Sequence, residues 1–180
     1  MKIYTRKGDD GTTGLLYGGR VAKDSPQPVA YGEVDEAQAV IGMARAEAEP
    51  GGELDRLLIG VARDLYVLMA ELATSVDHHD RLTPGTSLVT EEMVLALEGL
   101  IDAVSERFEL PTEFVVPGEN RVAASLDLAR TVVRRAERHA LSAAAPGSHV
   151  VPYLNRLSDL LWALARWQGG GSLITRETSS

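Results

Sequence analysis

The sequence predicts an all-α protein, a five-helix bundle preceded by an irregular N-terminal segment rich in cations and glycine. Three observations carry that expectation. Apolar residues recur every three or four positions through most of the chain, and strand-like alternation is confined to short pieces such as Lys2 to Thr5 and Phe114 to Val116. Turn residues such as Pro111, Pro117-Gly118 and Pro146-Gly147 fall between the periodic runs. The chain has 180 residues, of which 44% are hydrophobic, which suits one domain with a proper core. Residues 1–168 read as that domain, with 1–24 as its loop segment and 169–180 as a flexible, Gly- and Ser-rich tail.

The first 23 residues stand apart in charge. Lys2, Arg6, Lys7, Arg20 and Lys23 face only Asp9 and Asp10, a balance of five minus two, or +3, in a chain whose net charge is −8. Gly8, Gly11 and Gly14 lie among Thr5, Thr12 and Thr13 in the same stretch. Glycines let backbone N–H groups approach phosphate oxygens, while hydroxyls and cations supply further contacts. The order is not that of a Walker loop, and an exposed turn would use the same Gly and Asp residues.

The helices follow in order. Val34, Ala37, Ile41 and Ala44 step by three and four; so do Leu54, Leu58, Val61, Leu65, Leu68 and Leu72. Thr90, as N-cap, precedes Glu91 and Glu92 and a run of Val94, Leu97, Ile101, Val104 and Phe108 that Pro111 ends. A fourth helix starts after Pro117-Gly118 and carries Val122, Leu126, Ala129, Val133, Ala136 and Ala140. The fifth follows Pro152 with Leu154, Leu157, Leu161 and Leu164. Short connections between long helices suit a bundle.

Composition excludes several function classes. An acidic chain without a Lys/Arg run is a poor nucleic-acid binder, so no nucleic acid is expected as partner. No apolar run reaches membrane-spanning length and Lys2 to Gly14 lacks the apolar core of a signal peptide, so no membrane is expected and the default location is cytoplasmic. Zero cysteines removes thiol nucleophiles and thiolate metal sites. The loop residues His78, His79 and Asp80 have no further ligand at metal-binding spacing, so no protein-held metal is expected there.

Polar stripes run beside the apolar ones. Tyr31, Asp35, Gln38 and Gly42 flank the first helix, Asp127, Arg130, Arg134 and Glu137 the fourth, and Asn155, Asp159, Trp162 and Arg166 the fifth. They could meet in one polar cleft, or they could be ion pairs that only set helix register, each worth about 0–1 kcal/mol.

Separated motifs then resemble those of one family. They are Ile3 to Thr13 with Arg20-Val21-Ala22-Lys23, Ala30 to Glu36, Ala70 to Thr74, Phe114 to Gly118 running through Ala129-Arg130-Thr131 to Arg134-Arg135-Ala136-Glu137-Arg138, and Leu154 to Asp159. In this order they resemble the PduO-type ATP:cob(I)alamin adenosyltransferases, the corrinoid adenosyltransferase family. The resemblance implies a homotrimer with ATP between neighbouring subunits, magnesium on its phosphates and cobalamin close by. Thr5, Arg6, Gly8, Asp9, Gly11, Thr12, Thr13 and Lys23 would wrap the nucleotide, completed by Arg130, Arg134, Glu137 and Asn155. Asp35 would pair with Arg130 across the subunit boundary, and Phe114 would sit under the corrin ring, although composition alone favours a core position for it.

The implied reaction moves the 5′-deoxyadenosyl group of ATP to cobalt, giving adenosylcobalamin and triphosphate. A reductase and an adenosylcobalamin-dependent enzyme are the protein partners such chemistry calls for. A non-catalytic trimer that binds ATP or a corrinoid for storage or delivery is the alternative. The chain departs from the family pattern at Glu119-Asn120-Arg121, at Asp127 where a His is common, at Ala37-Gln38, at Lys7 and after Trp167.

Overall fold

The computed structural model describes residues 2–175. Five α-helices dominate it: α1 (Pro26–Ala46), α2 (Glu53–Leu72), α3 (Glu91–Ser105), α4 (Arg121–Ala140) and α5 (Val150–Gly169). An antiparallel hairpin, β1 (Thr12–Gly14) with β2 (Arg20–Ala22), precedes them, and a 3₁₀ helix spans Val76–Arg81. The all-α class expected from the periodicity is the one observed.

Local chemistry explains where the helices begin and end. Ser25 is extended, and Pro26 occupies the first turn of α1, where its missing N–H breaks no hydrogen bond. Asn120 caps α4, its side-chain oxygen accepting from the Ala123 amide at 2.9 Å. Asn120, one of the departures from the family pattern, is thus a helix cap. Helix α5 starts at Val150, ahead of the expected start after Pro152, because a proline in the first turn costs no bond. It stops where Gly170 turns left-handed at φ 70°. Helix α3 ends at Ser105, short of Phe108, whose ring meets Trp162 edge-on with centroids 6.0 Å apart.

The helices pack in the order α2, α1, α4, α5, α3, with α4 central. Ala30, Val34, Ala37 and Ile41 of α1 meet Ala129, Val133 and Ala136 of α4 and Leu154, Leu157, Leu161 and Leu164 of α5 in one buried cluster. Small residues on α1 and α4 let these two helices approach closely. Two buried polar ties fix α2 to the rest. Tyr153 donates its hydroxyl to Asp64 at 2.8 Å, and Glu71 accepts from the Val89 amide at 2.7 Å and from the Ser148 hydroxyl.

Two strand expectations change. Lys2 to Thr5 forms no ladder, and the hairpin forms later, at Thr12–Gly14 and Arg20–Ala22, where a partner segment is available. Phe114 to Val116 does pair, and its partner is the segment expected to be a loose tail. The Val116 amide donates to Leu173 O at 2.7 Å and the Thr175 amide to Phe114 O at 2.8 Å, around a Val115–Ile174 bridge. Backbone groups on an otherwise unpaired loop recruit the nearest chain available to satisfy them. The remainder of the expected tail, residues 176–180, lies outside the described residues.

Candidate active site

The N-terminal segment is a loop held open by one arginine. Arg20 Nε donates to Thr12 Oγ1 at 3.0 Å, and its Nη2 donates to Lys7 O at 2.6 Å and Thr12 O at 3.3 Å. Asp10 accepts from the Thr12 amide at 2.9 Å and the Thr12 hydroxyl at 2.8 Å. Those two bonds, with the Arg20 charge beside them, hold the Asp10 carboxyl below its ordinary pKa. Gly11 sits at φ 80°, a conformation a side chain resists, and Lys23 closes the loop by donating its amide to Gly11 O at 2.9 Å. The Lys23 side chain folds closely over Gly8, where a Cβ would come 3.0 Å from Lys23 Nζ and 3.2 Å from Thr12 O. The hairpin is moored to the end of α2, the Leu16 amide donating to Ala73 O at 2.8 Å.

Arg20 is thus committed to the loop, whereas Arg6, Lys7 and Lys23 make no ion pair among the described residues. These are cations without an internal anion. Thr5, Arg6 and Asp9 are exposed, and Gly8, Thr12 and Thr13 are partly covered. Arg20 and Asp10 shape the loop without belonging to the residues that the resemblance puts in the site. Their signal is present in the same motif, a cation and an acid bracketing Gly-Thr-Thr, yet only the fold shows which cation is internal.

The helices supply a second polar group. Asn155 Nδ2 donates to Glu137 Oε1 at 3.1 Å, and Asn155 Oδ1 accepts from Arg156 at 2.6 Å, so α4 and α5 are bridged where the motif reading puts both residues in one site. Arg134 is exposed one turn before Glu137, and its side chain has no hydrogen bond or ion pair among the described residues. Arg130 is half-buried, with Nε 3.8 Å from Asp127 Oδ1. Asp35 lies exposed on α1 and does not pair with Arg130 within the chain. No hydrogen bond or ion pair among the described residues joins the N-terminal loop to Arg130, Arg134, Glu137 or Asn155.

A pocket of about 480 Å³ opens beside Arg130. It is lined by Pro111, Phe114, Val115 and Pro117 of the loop before α4 and by Asp127, Arg130, Trp162 and Arg166 of α4 and α5. The stripes on α4 and α5 therefore meet, as one alternative held, while the α1 stripe takes no part in this pocket. Phe114 is 86% exposed at its mouth, which removes the core position that composition favoured. Beneath, Arg166 is only 1% exposed, hydrogen-bonded to Asp127, 3.8 Å from Glu119 and 5.9 Å above the Trp162 ring. Such a buried guanidinium requires acids around it, and Glu119 and Asp127 supply them. Among the described residues no group of three or more His, Asp or Glu side chains is placed to hold a metal ion, and no helix is long and apolar enough to cross a membrane.

Known proteins share this sequence and architecture. The profile of the family described as cobalamin adenosyltransferase matches residues 3–168. A corrinoid adenosyltransferase of Mycobacterium tuberculosis H37Rv is 42% identical, the match covering 94% of each chain. A corrinoid adenosyltransferase of Bacillus subtilis is 39% identical over 92% of this chain and 86% of its own. Among solved structures, a phenylalanine-to-histidine variant of the PduO-type ATP:corrinoid adenosyltransferase from Lactobacillus reuteri, complexed with cobalamin and ATP, superposes with a TM-score of 0.88 at 29% identity, covering 97% of both chains. With the glycine loop, the helix-borne arginines and the exposed phenylalanine in the same chain as this match, the protein belongs to the cobalamin adenosyltransferase family.

Proposed function

We propose that this chain transfers the 5′-deoxyadenosyl group of ATP to the cobalt of cob(I)alamin, releasing triphosphate. The observation that carries this reading is Phe114, 86% exposed and lining the same pocket as Arg130. An aromatic ring held in water beside a guanidinium suits a large, flat, partly apolar ligand lying next to an anionic one. The cobalt electron pair forms the bond to the ribose C5′, the C5′–O bond breaks, and its electrons leave on the triphosphate. Both reactants bring their own reactivity, so no general base is required. The protein orients them and stabilises the charge that develops on the leaving group.

In this reading Arg6, Lys7 and Lys23 face the triphosphate, with the Gly8, Gly11, Thr12 and Thr13 loop and Thr5 and Asp9 around it. Arg134, Glu137 and Asn155 complete the nucleotide site from the helices. Phe114 occupies the lower face of the corrin, keeping the axial ligand and water away so that the metal can reach its nucleophilic state. Magnesium fits as a companion of the phosphates, since the loop offers Asp9 and Asp10 but no cage of protein ligands. It would supply further neutralisation of the triphosphate.

The lack of any hydrogen bond or ion pair between the loop and the helix residues among the described residues suits a homotrimer in which each nucleotide site draws its loop and its helices from neighbouring subunits. The exposed, unpaired Asp35 suits a salt bridge to Arg130 of a neighbour, and the absence of cysteine suits a reducing, cytoplasmic setting. The test is a single reaction of protein, ATP, magnesium and chemically reduced cobalamin followed by absorbance. Adenosylcobalamin with stoichiometric triphosphate is expected. ATP binding without turnover would instead identify a carrier and sink the proposal.

A further inference from the structure

The Asp127 carboxylate lies between two guanidinium groups. Its Oδ2 accepts from Arg166 Nη2, and its Oδ1 stands 3.8 Å from Arg130 Nε. Arg130 Nε is shielded from solvent without a hydrogen-bond partner, so Asp127 is the one counter-charge it faces among the described residues. Arg166 arrives from α5, is 1% exposed, and takes a second acid, Glu119, at 3.8 Å.

A guanidinium is a rigid planar fork with five N–H donors. When the Nε edge turns toward a fixed acid, the remaining terminal donors are left for a ligand in the pocket that Arg130 lines. Asp127 can act as such an anchor only if its own carboxylate is immobile. The buried Arg166 ensures this, because breaking that pair would leave a charge stranded in the bundle. We propose that Asp127 is a positioning residue that sets the roll of the Arg130 fork, with Arg166 pinning it from α5. The inference rests on the part assigned to Arg130 in the preceding section. It also gives the two acids different tasks: both balance Arg166, but only Asp127 reaches Arg130.

The experiment compares Asp127→Asn with Glu119→Gln, each alone and combined with Arg130→Ala, reading thermal midpoint, ATP KM and single-turnover rate in the intact protein. Asp127→Asn should lower the rate about 10- to 100-fold, as displaced catalytic groups do. Glu119→Gln should lower the thermal midpoint and leave the rate within about twofold. In the Arg130→Ala background Asp127→Asn should change the rate no further, because both act through one group. Equal rate losses from Asp127→Asn and Glu119→Gln would overturn the proposal. So would an undiminished effect of Asp127→Asn after Arg130→Ala. If Asp127→Asn does not fold, Asp127→Glu keeps a charge on Arg166 while shifting the carboxylate relative to Arg130, and an unaltered rate in that variant refutes the anchor. Full activity in Arg130→Ala alone would point elsewhere, to failure of the assignment of Arg130 itself.

Discussion

The glycine hairpin and the Phe114 pocket handle positive charge in opposite ways. At the hairpin, one arginine is tied to backbone oxygens in water, and Arg6, Lys7 and Lys23 pair with no acid among the described residues. At the pocket, Arg166 is taken fully into the bundle and matched by Asp127 and Glu119. The first arrangement leaves a surplus that a polyanion can neutralise. The second cancels its charge internally, beneath the Phe114, Pro111 and Pro117 side chains that line the same pocket. Helix α4 runs between these regimes, from buried Asp127 through half-buried Arg130 to exposed Arg134.

Breaking the contrast should hurt most where the regimes meet. Arg130→Lys keeps the charge but replaces a planar fork by a point, and its turnover should fall on the order of 100-fold. Near-normal rates in that variant would show that charge alone suffices there. Next, Phe114→Ala should abolish the four-coordinate signature of cob(II)alamin bound with ATP. Persistence of that spectrum would return Phe114 to a passive rim. Arg20→Ala should be milder, raising ATP KM about tenfold with kcat little changed, since it loosens the loop without removing a phosphate contact. A fall in kcat at constant KM would place Arg20 at the reacting atoms instead.

The smallest effect separates two acids by sign. Asp10 is held below its ordinary pKa, so in the acid window between its folded and unfolded values the unfolded chain binds more proton and stability falls as pH drops. Asp64 is pushed up by burial, only partly offset by the Tyr153 hydroxyl. Between its unfolded value and that raised one the folded state binds more proton, and stability falls as pH rises. Denaturant titrations across the acid range should therefore show Asp10→Asn removing a rising component and Asp64→Asn a falling one. Parallel changes would contradict the assigned environments.

The helices were legible because each carries an apolar stripe whose period is fixed by backbone geometry, and burial of Val34, Leu65, Val133 and Leu161 followed it. Boundaries were less so. Pro152 reads as the residue before a helix start although it sits inside the first turn, which tolerates it, and Asn120 reads as a substitution although it caps a helix. The hairpin was invisible because three-residue strands are too short to show a period. The pairing of Leu173 to Thr175 with the Phe114 loop depends on two segments far apart in sequence. The stripes on α4 and α5 pointed to a cleft, but that Arg166 would be buried and Asp127 shared between two arginines is a consequence of packing that spacing does not encode.

That same union of Leu173–Thr175 with Phe114–Val116 matters at the bench. The Thr175 amide and hydroxyl both donate to the carbonyl of Phe114, at 2.8 Å and 3.1 Å. A purification handle appended after Ser180 is therefore leashed, through only residues 176–180, to the peptide that carries the aromatic ring. Any spectroscopic comparison of Phe114 variants should be made on protein whose handle has been cleaved or moved.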